Sequence, residues 1–311
     1  MIQIPISLES VCGCVPSTVA DNSAILSELV GPAKADAIVK STGFLFRRVA
    51  APGTTVFDLA VAAARRALDG VDPASLGGIV AVTFSAPDRF PALSIRLHHT
   101  LGLPPDAAAL DLSLACSGYP YGLFAAAQLA AASSGKRVLL VDGDVQSAHV
   151  DTSDVNTLAV MSDAATATLI APGGTPATFA FLTDGAGADV LRCGTDGKIR
   201  MDGFGVFRFV AGPVSQFLKE FCAAAATPDI FIPHQANMYM VRQLAKSLGL
   251  ENQLRTSGER FANPGSCSVP LTLASTEGAG RALFAGFGAG LSAAAAFVDV
   301  PPTLRRSLVE A

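Results

Sequence analysis

The chain contains no tryptophan, and only 15% of its 311 residues are charged. The net charge is −4, and no basic stretch offsets it, which argues against a general nucleic-acid binder. The opening residues, Met1-Ile-Gln-Ile-Pro-Ile6, lack the basic region and long apolar core of a signal peptide, so a cytoplasmic location is expected. The six cysteines, Cys12, Cys14, Cys116, Cys193, Cys222 and Cys267, are scattered, which points to free thiols in a reducing compartment instead of a disulfide framework. Cys12-Gly-Cys14 has no second pair at zinc spacing, so no metal is expected. Nor is there a clear membrane span. From Ala282 to Val298 there are 17 residues without a charge, but Gly286, Gly288 and Gly290 interrupt them. A glycine loop feeding a buried strand fits that run better, and no membrane association is expected.

Half of the residues are hydrophobic, with alanine and glycine abundant. This composition suits a large, well-buried globular chain, and small residues permit close packing in a layered α/β architecture. Residues 77–84, 136–142 and 165–170 read as buried strands, and 57–68 and 94–101 as helices. Ala171-Pro-Gly-Gly-Thr-Pro176 has the composition of a linker. After it the pattern repeats. Residues 204–222 and 237–248 read as helices, and 228–233 and 292–300 as strands. Ser266-Cys-Ser268 echoes Ala115-Cys-Ser117, each at a helix start. The expectation is a duplicated α/β fold with halves at 1–172 and 173–311.

The most informative residue is Cys116, in Asp111-Leu-Ser-Leu-Ala-Cys-Ser-Gly-Tyr119. An extended apolar stretch runs into it, and a small-residue helix over Gly122–Ala130 follows. At a helix N-terminus the macrodipole favours negative charge, so a lowered thiol pKa and a nucleophilic thiolate are expected. His234, in Ile232-Pro-His-Gln-Ala-Asn237, and Asn263, in Phe261-Ala-Asn-Pro-Gly-Ser266, could complete a nucleophilic site if the fold assembles them. Each residue also has a plainer reading: an inert packed thiol, a surface histidine, a turn asparagine. Cys267, also near a helix start, is an alternative nucleophile.

The local wording resembles β-ketoacyl–acyl carrier protein synthase III, a condensing enzyme of the thiolase superfamily. The resemblance is carried in order by Thr42-Gly-Phe44, Phe90-Pro91, Ala115-Cys-Ser-Gly118, Val141-Asp-Gly-Asp144 and Met161-Ser-Asp-Ala164. Pro233-His-Gln-Ala-Asn237, the Asn263 loop through Ser268-Val-Pro270, and Gly286-Phe-Gly-Ala-Gly290 complete it. It implies a thiolase-like fold with layers α-β-α-β-α and decarboxylative condensation of a Cys116-bound acyl group with a malonyl thioester on acyl carrier protein. It further implies that His234 and Asn263 stabilise the enolate, and that the N–H groups of Cys116 and Ala289 form an oxyanion hole. Phe90 would line the partner's acyl site in a homodimer, and Arg208, Arg242 and Lys246 would receive the carrier protein. No metal or redox cofactor is implied, because the thioester, on coenzyme A or phosphopantetheine, supplies the activation.

This chain departs from the pattern in two places. The tryptophan and two arginines with which the family holds coenzyme A read Ala37, Ser41 and Val155 here. The stretch between Ala171 and Met201 is also short. A donor carried on an acyl carrier protein, or as another thioester, instead of coenzyme A is expected, with an altered pocket, as in a specialised fatty-acid or polyketide-type pathway. Two rivals remain open at this stage. One is acyl transfer or hydrolysis through the same acyl-Cys116, and the other is a non-catalytic subunit of a heteromeric synthase.

Overall fold

The computed structural model describes residues 1–225 and 227–311. Nine strands form its main sheet: β1 Ile2–Val15, β2 Leu76–Val82, β3 Ala108–Leu112, β4 Arg137–Asp144, β5 Ala164–Thr183, β6 Ile230–Pro233, β7 Gly280–Gly288, β8 Ser292–Val300 and β9 Arg305–Glu310. The helices that matter most are α1 Val56–Ala67, α2 Gly118–Ala132, α3 Ser215–Ala225, α4 Met238–Leu248 and α5 Ser268–Ser275.

The strand pairings repeat. In the first half β3 and β4 flank β2 in parallel, β4 pairs antiparallel with β5, and β5 pairs antiparallel with β1. In the second half β7 lies parallel to β6, then β8 and the end of β5 follow antiparallel. The counterpart of β3 is reduced to one parallel bridge, Phe231 to Leu254. The same ladder built twice supports the duplication read from Cys116 and Cys267.

Side-chain alternation along the strands makes the layers. On β2, Ile79 and Ala81 face Leu59, Ala60, Ala63 and Ala64 of α1. Val80 and Val82 face α2. On β7, Ala282 and Phe284 point to that same central layer, while Leu283, Ala285 and Phe287 pack toward Leu218, Phe221, Val241 and Leu244 of α3 and α4. Helix α1 buries Val56, Leu59, Ala60, Ala63, Ala64 and Ala67, a single helical stripe. Its start is capped by Asp58, which accepts from the Thr55 N–H at 2.8 Å. Helices α2 and α5 occupy the middle, giving α-β-α-β-α.

Three sequence expectations need correction. Ala171–Pro176 is not a linker but part of β5, which continues to Thr183. Gly173 and Gly174, both at φ 88°, absorb the kink where the register against β1 shifts between Pro5 and Ile6. The division at 172/173 falls at this kink. Both halves share β1 and β5, and β9 returns to pair with the C-terminal part of β1. The helix expected over 204–222 is Gly203–Phe209 and α3, joined by a π-turn at Val210–Val214 that contains Pro213. A wider turn accommodates a proline that cannot donate its backbone hydrogen bond. Helix α2 begins at Gly118, earlier than the expected Gly122. Among the described residues, no helix is long and apolar enough to cross a membrane. The charge-free run 282–298 is instead the antiparallel pair β7–β8.

The central layer also buries two carboxyl groups, Asp142 and Asp144. Asp142 faces Thr166 across the β4–β5 ladder. Neither of its oxygens has a hydrogen-bond partner among the described residues. Burial, and then the neighbouring Asp144, push its pKa well above the ordinary carboxylate range. The folded protein therefore holds that proton where the unfolded chain has released it. This contribution to stability is full below the unfolded carboxylate pKa and is lost as pH rises through the folded one. Asp142→Asn removes the ionisation, so denaturant unfolding at pH 8 is expected to show a midpoint at or above that of the wild type. A variant markedly less stable than wild type at pH 8, yet equal at pH 4, would contradict a protonated Asp142.

Candidate active site

Cys116 lies between β3 and α2, in the short 3₁₀ turn Ala115–Ser117. Ala115 has φ +43°, a conformation that side chains other than glycine rarely adopt, and it turns the chain sharply just ahead of the nucleophile candidate. The second half meets this turn closely. A Cβ built on Gly288 would lie 2.7 Å from the Cys116 Cβ, and one on Gly286 would lie 2.9 Å from the Ser117 carbonyl. Only glycine lets β7 reach the Cys116 turn.

His234 follows β6, and its N–H donates to the Ala285 carbonyl of β7 at 2.7 Å. The ring is buried, with Nδ1 2.7 Å from the Ser268 hydroxyl at the start of α5 and the Phe287 ring edge-on at 5.4 Å. Asn263 is anchored by its main chain. Its N–H donates to Val160, and its carbonyl accepts from the Ser162 N–H at 3.1 Å and from the Gln146 amide at 2.7 Å. The Asn263 side-chain oxygen accepts from the Gly265 N–H at 3.0 Å. This leaves the amide N–H₂ as a donor.

The structure brings the three candidates together. Cys116, His234 and Asn263 line one small cavity of about 80 Å³. On its other side Cys116 faces a larger cavity of about 870 Å³, which Ala289 and Gly290 also line. Ala289 lies outside the left-handed region, so an alanine suits this backbone. Cys267 lines neither cavity. It is fully buried beside Phe261 and Leu271, and its thiol points at the Ala164 carbonyl. Packing, not chemistry, accounts for it.

The electrostatics overturn one expectation. The Cys116 thiol is not lowered but pushed up to about 12, first by burial and then by the nearby Asp144 carboxylate. The desolvation cost of a buried thiolate outweighs the field of the helix start. His234 is pushed down to about 3 by burial, with the Gly265 carbonyl acting against this. The resting site is therefore a neutral thiol beside a neutral imidazole. Asp144 is itself raised to about 7 by burial, although Thr83, Ser85 and the Phe84 and Ser85 N–H groups all donate to it. Asp144 and Ser268 fall in segments that carry the resemblance, but residue order assigned neither them nor Gln146 a place at this site, because each acts through a contact that exists only after folding.

The peripheral candidates lie at the surface. Phe90 is 86% exposed, which excludes a core role. Arg208 and Lys246 are exposed, and Arg242 pairs with Glu259 at 2.8 Å. Exposed Phe204, Phe207 and Tyr239 lie in the same segments, close in sequence to Gly203, Val206 and Met240, which line the small cavity.

A layered, duplicated α/β chain with a cysteine, a neutral histidine and an asparagine around one cavity has the architecture of the thiolase-like class. Comparison with known proteins gives the family. The profile described as 3-Oxoacyl-[acyl-carrier-protein (ACP)] synthase III matches residues 110–181, and its C-terminal counterpart matches 223–300. The β-ketoacyl-[acyl-carrier-protein] synthase III 2 of Streptomyces coelicolor is 33% identical over 90% of this chain and 89% of its own. A 3-oxoacyl-(acyl-carrier protein) synthase from Burkholderia xenovorans superimposes with a TM-score of 0.95 at 28% identity, covering 100% of this chain and 98% of that one. The priming β-ketosynthase of a polyketide biosynthetic pathway follows with a TM-score of 0.87 and 29% identity, over 96% and 98% of the two chains. The chain belongs to the β-ketoacyl-[acyl-carrier-protein] synthase III family, and it is an acyl-transferring condensing enzyme.

Because His234 titrates near 3, its protonation produces no acid limb in kcat/KM between pH 5.5 and 7.5. Ser268→Ala leaves the buried ring nitrogen without its partner and is expected to lower kcat on the order of 10²-fold, the scale of loss when one positioned hydrogen-bond donor is disturbed. A pH–rate profile of both proteins checks this; because Asp144 is raised to about 7, the profile is also taken on Asp144→Asn, and an inflection near pH 6.5 that persists there would contradict a neutral His234.

Proposed function

We propose that Cys116 carries the acyl group and that His234 and Asn263 stabilise the enolate of a malonyl thioester. The observation that carries this reading is the single small cavity lined by all three residues, with the histidine held neutral. In the first half-reaction the Cys116 sulfur attacks the carbonyl of an acyl thioester. The thiol proton passes to the departing carrier thiolate, leaving an acyl-enzyme. In the second, the malonyl carboxylate leaves as carbon dioxide, and its electron pair forms an enolate. Nε2–H of His234 and Nδ2–H of Asn263 donate to the thioester oxygen as it becomes negative, in a site too small for bulk water. This scheme requires the imidazole proton on Nε2, with the Ser268 hydroxyl, 2.7 Å away, donating to Nδ1. The enolate carbon then attacks the acyl carbon. The N–H groups of Cys116 and Ala289 receive the resulting oxyanion, and collapse expels the Cys116 thiolate, which is reprotonated.

The malonyl group is carried by acyl carrier protein, for which exposed Arg208, Arg242 and Lys246 form the docking face. Arg242 is partly neutralised by Glu259, so Arg208 and Lys246 carry more of the attraction. Exposed Phe90 serves a homodimer, reaching the partner's acyl site. No metal or redox cofactor takes part. Ala37 and Ser41 lie exposed on the helix Pro32–Thr42, and Val155 packs against the cluster beneath it. No aromatic ring or guanidinium stands at these positions to stack adenine or pair phosphate. The acyl donor is therefore a carrier-protein thioester in a specialised fatty-acid or polyketide-type pathway. Asn263 beside His234 favours carbon–carbon bond formation, because transfer to an amine, alcohol or water would favour a general base held by an acidic partner.

Intact-protein mass spectrometry after incubation with acyl-carrier and acyl-CoA thioesters tests the scheme. Wild type gains the acyl mass, and Cys116→Ala does not. His234→Ala and Asn263→Ala still form the acyl-enzyme but lose condensation by on the order of 10²–10³-fold each. Condensation that survives in both variants would remove them from the mechanism. Preferential loading from coenzyme A would contradict the carrier-protein donor.

A further inference from the structure

Gly265 connects the two hydrogen-bonding residues of the small cavity. Its N–H donates to the Asn263 side-chain oxygen at 3.0 Å, and its carbonyl acts on the His234 ring. Two side-chain oxygens converge on its α-carbon. A Cβ built there would lie 3.3 Å from Asp144 Oδ2 and 3.5 Å from Gln146 Oε1. The Gln146 amide N–H₂ donates to the Ser162 and Asn263 carbonyls at 2.8 and 2.7 Å, which leaves its oxygen for the Gly265 side. Asp144 is used unevenly. Its Oδ1 accepts from the Thr83 and Ser85 hydroxyls and from the Phe84 and Ser85 N–H groups, all at 2.9–3.1 Å. Its Oδ2 is fully buried and has no hydrogen-bond donor among the described residues. An ionised Asp144 would therefore hold a bare charged oxygen next to the amide oxygen of Gln146, a second acceptor. A proton on Oδ2 satisfies both oxygens at once.

We propose that Asp144 is a positioning residue: protonated on Oδ2, it donates to Gln146 Oε1 and so fixes the Gln146 amide on the Asn263 carbonyl. The inference rests on the reading of Asn263 as an enolate donor. Ionisation of Asp144 sets two acceptors against each other, loosens Gln146 and lets the Asn263 amide drift from the place where the oxyanion forms. Burial raises Asp144 to about 7, so this change falls where rates can be followed. The titratable groups whose charges couple to Asp144 are Asp142 on the same strand, Cys116, Cys267 and the exposed Cys193. None is a cation, and burial pushes all four up, so Asp144 is the first of them to ionise. His149 turns instead to the Gly197 carbonyl, and Asp163 is taken up by the Ala50 N–H and by Ser147.

The test starts from the full-length acyl-enzyme, loaded with the butyryl thioester of N-acetylcysteamine, so that ionisation of the free thiol does not enter. Loading also reports that each variant is folded. Malonyl-pantetheine is then added, and the single-turnover condensation rate is followed from pH 6 to pH 8.5. The wild-type rate is expected to fall on the order of tenfold across this range, as for a group needed in its protonated form. Asp144→Asn supplies a permanent N–H toward Gln146. Its profile is expected to be flat, so that it outpaces the wild type at pH 8.5. Asp144→Ala and Gln146→Leu break the link and are expected to be flat but slow, on the order of tenfold below wild type at pH 6, a smaller loss than outright removal of an oxyanion donor. Asp142→Asn is expected to keep the wild-type fall. A wild-type rate that does not fall, a fall that persists in Asp144→Asn, or one that disappears in Asp142→Asn overturns the role of Asp144 while leaving the acyl-enzyme and Asn263 as proposed. Condensation that survives Asn263→Ala at every pH overturns the donor reading, and this inference with it.

Discussion

The close approach of β7 to the Cys116 turn is the contact on which the rest of this site depends. Gly286 and Gly288 bring the backbone of the second half against Ser117 and Cys116, where any side chain would collide. A similar economy of volume operates behind the turn. A Cβ on Gly118 would lie 2.4 Å from a Val82 methyl, and one on Gly122 would lie 2.7 Å from the other, so α2 can sit low on the first half's sheet. Together these contacts place a thiol from the first half within the same small cavity as His234 and Asn263 from the second. The abundance of glycine and alanine in the chain has its structural use at this junction.

Such close packing sets the chemistry. Burial drives the Cys116 thiol up and the His234 imidazole down, so both rest uncharged. A neutral imidazole can donate a hydrogen bond to a developing oxyanion without first losing a proton or competing as a cation. Asp144 sits at the same junction with a pKa near neutrality, and its negative charge works against thiolate formation. The site is arranged to stabilise charge that appears during reaction and not to hold charge at rest. The serine on Nδ1 and the glutamine on the Asn263 carbonyl hold the donors in place, so little reorganisation is needed when the oxyanion forms.

Much of the fold was legible before folding was considered. The helical stripe of α1, the apolar strands β2, β4 and β6, and the echo between the Cys116 and Cys267 segments all carry local patterns. What was missed has physical reasons. The first strand, Ile2–Val15, alternates only partly, because its two ends serve different sheet regions. The Ala171–Pro176 stretch has turn composition because a kinked strand needs glycine there as much as a linker does. The thiol's pKa was misjudged because a helix start is visible in sequence, whereas the depth of burial is not.

By itself the sequence determined the duplicated α/β architecture, the identities of Cys116, His234 and Asn263, and the loss of side chains suited to coenzyme A. Those are properties of residue type and order, which local periodicity and motif spacing express directly. Only the tertiary structure decided that the three residues share one cavity and that both titratable members are neutral. It alone also decided that Cys267 is packing, and that a chamber about ten times larger lies behind Cys116. Distance, desolvation and empty volume arise between segments far apart in the chain, and no local pattern of residues encodes them.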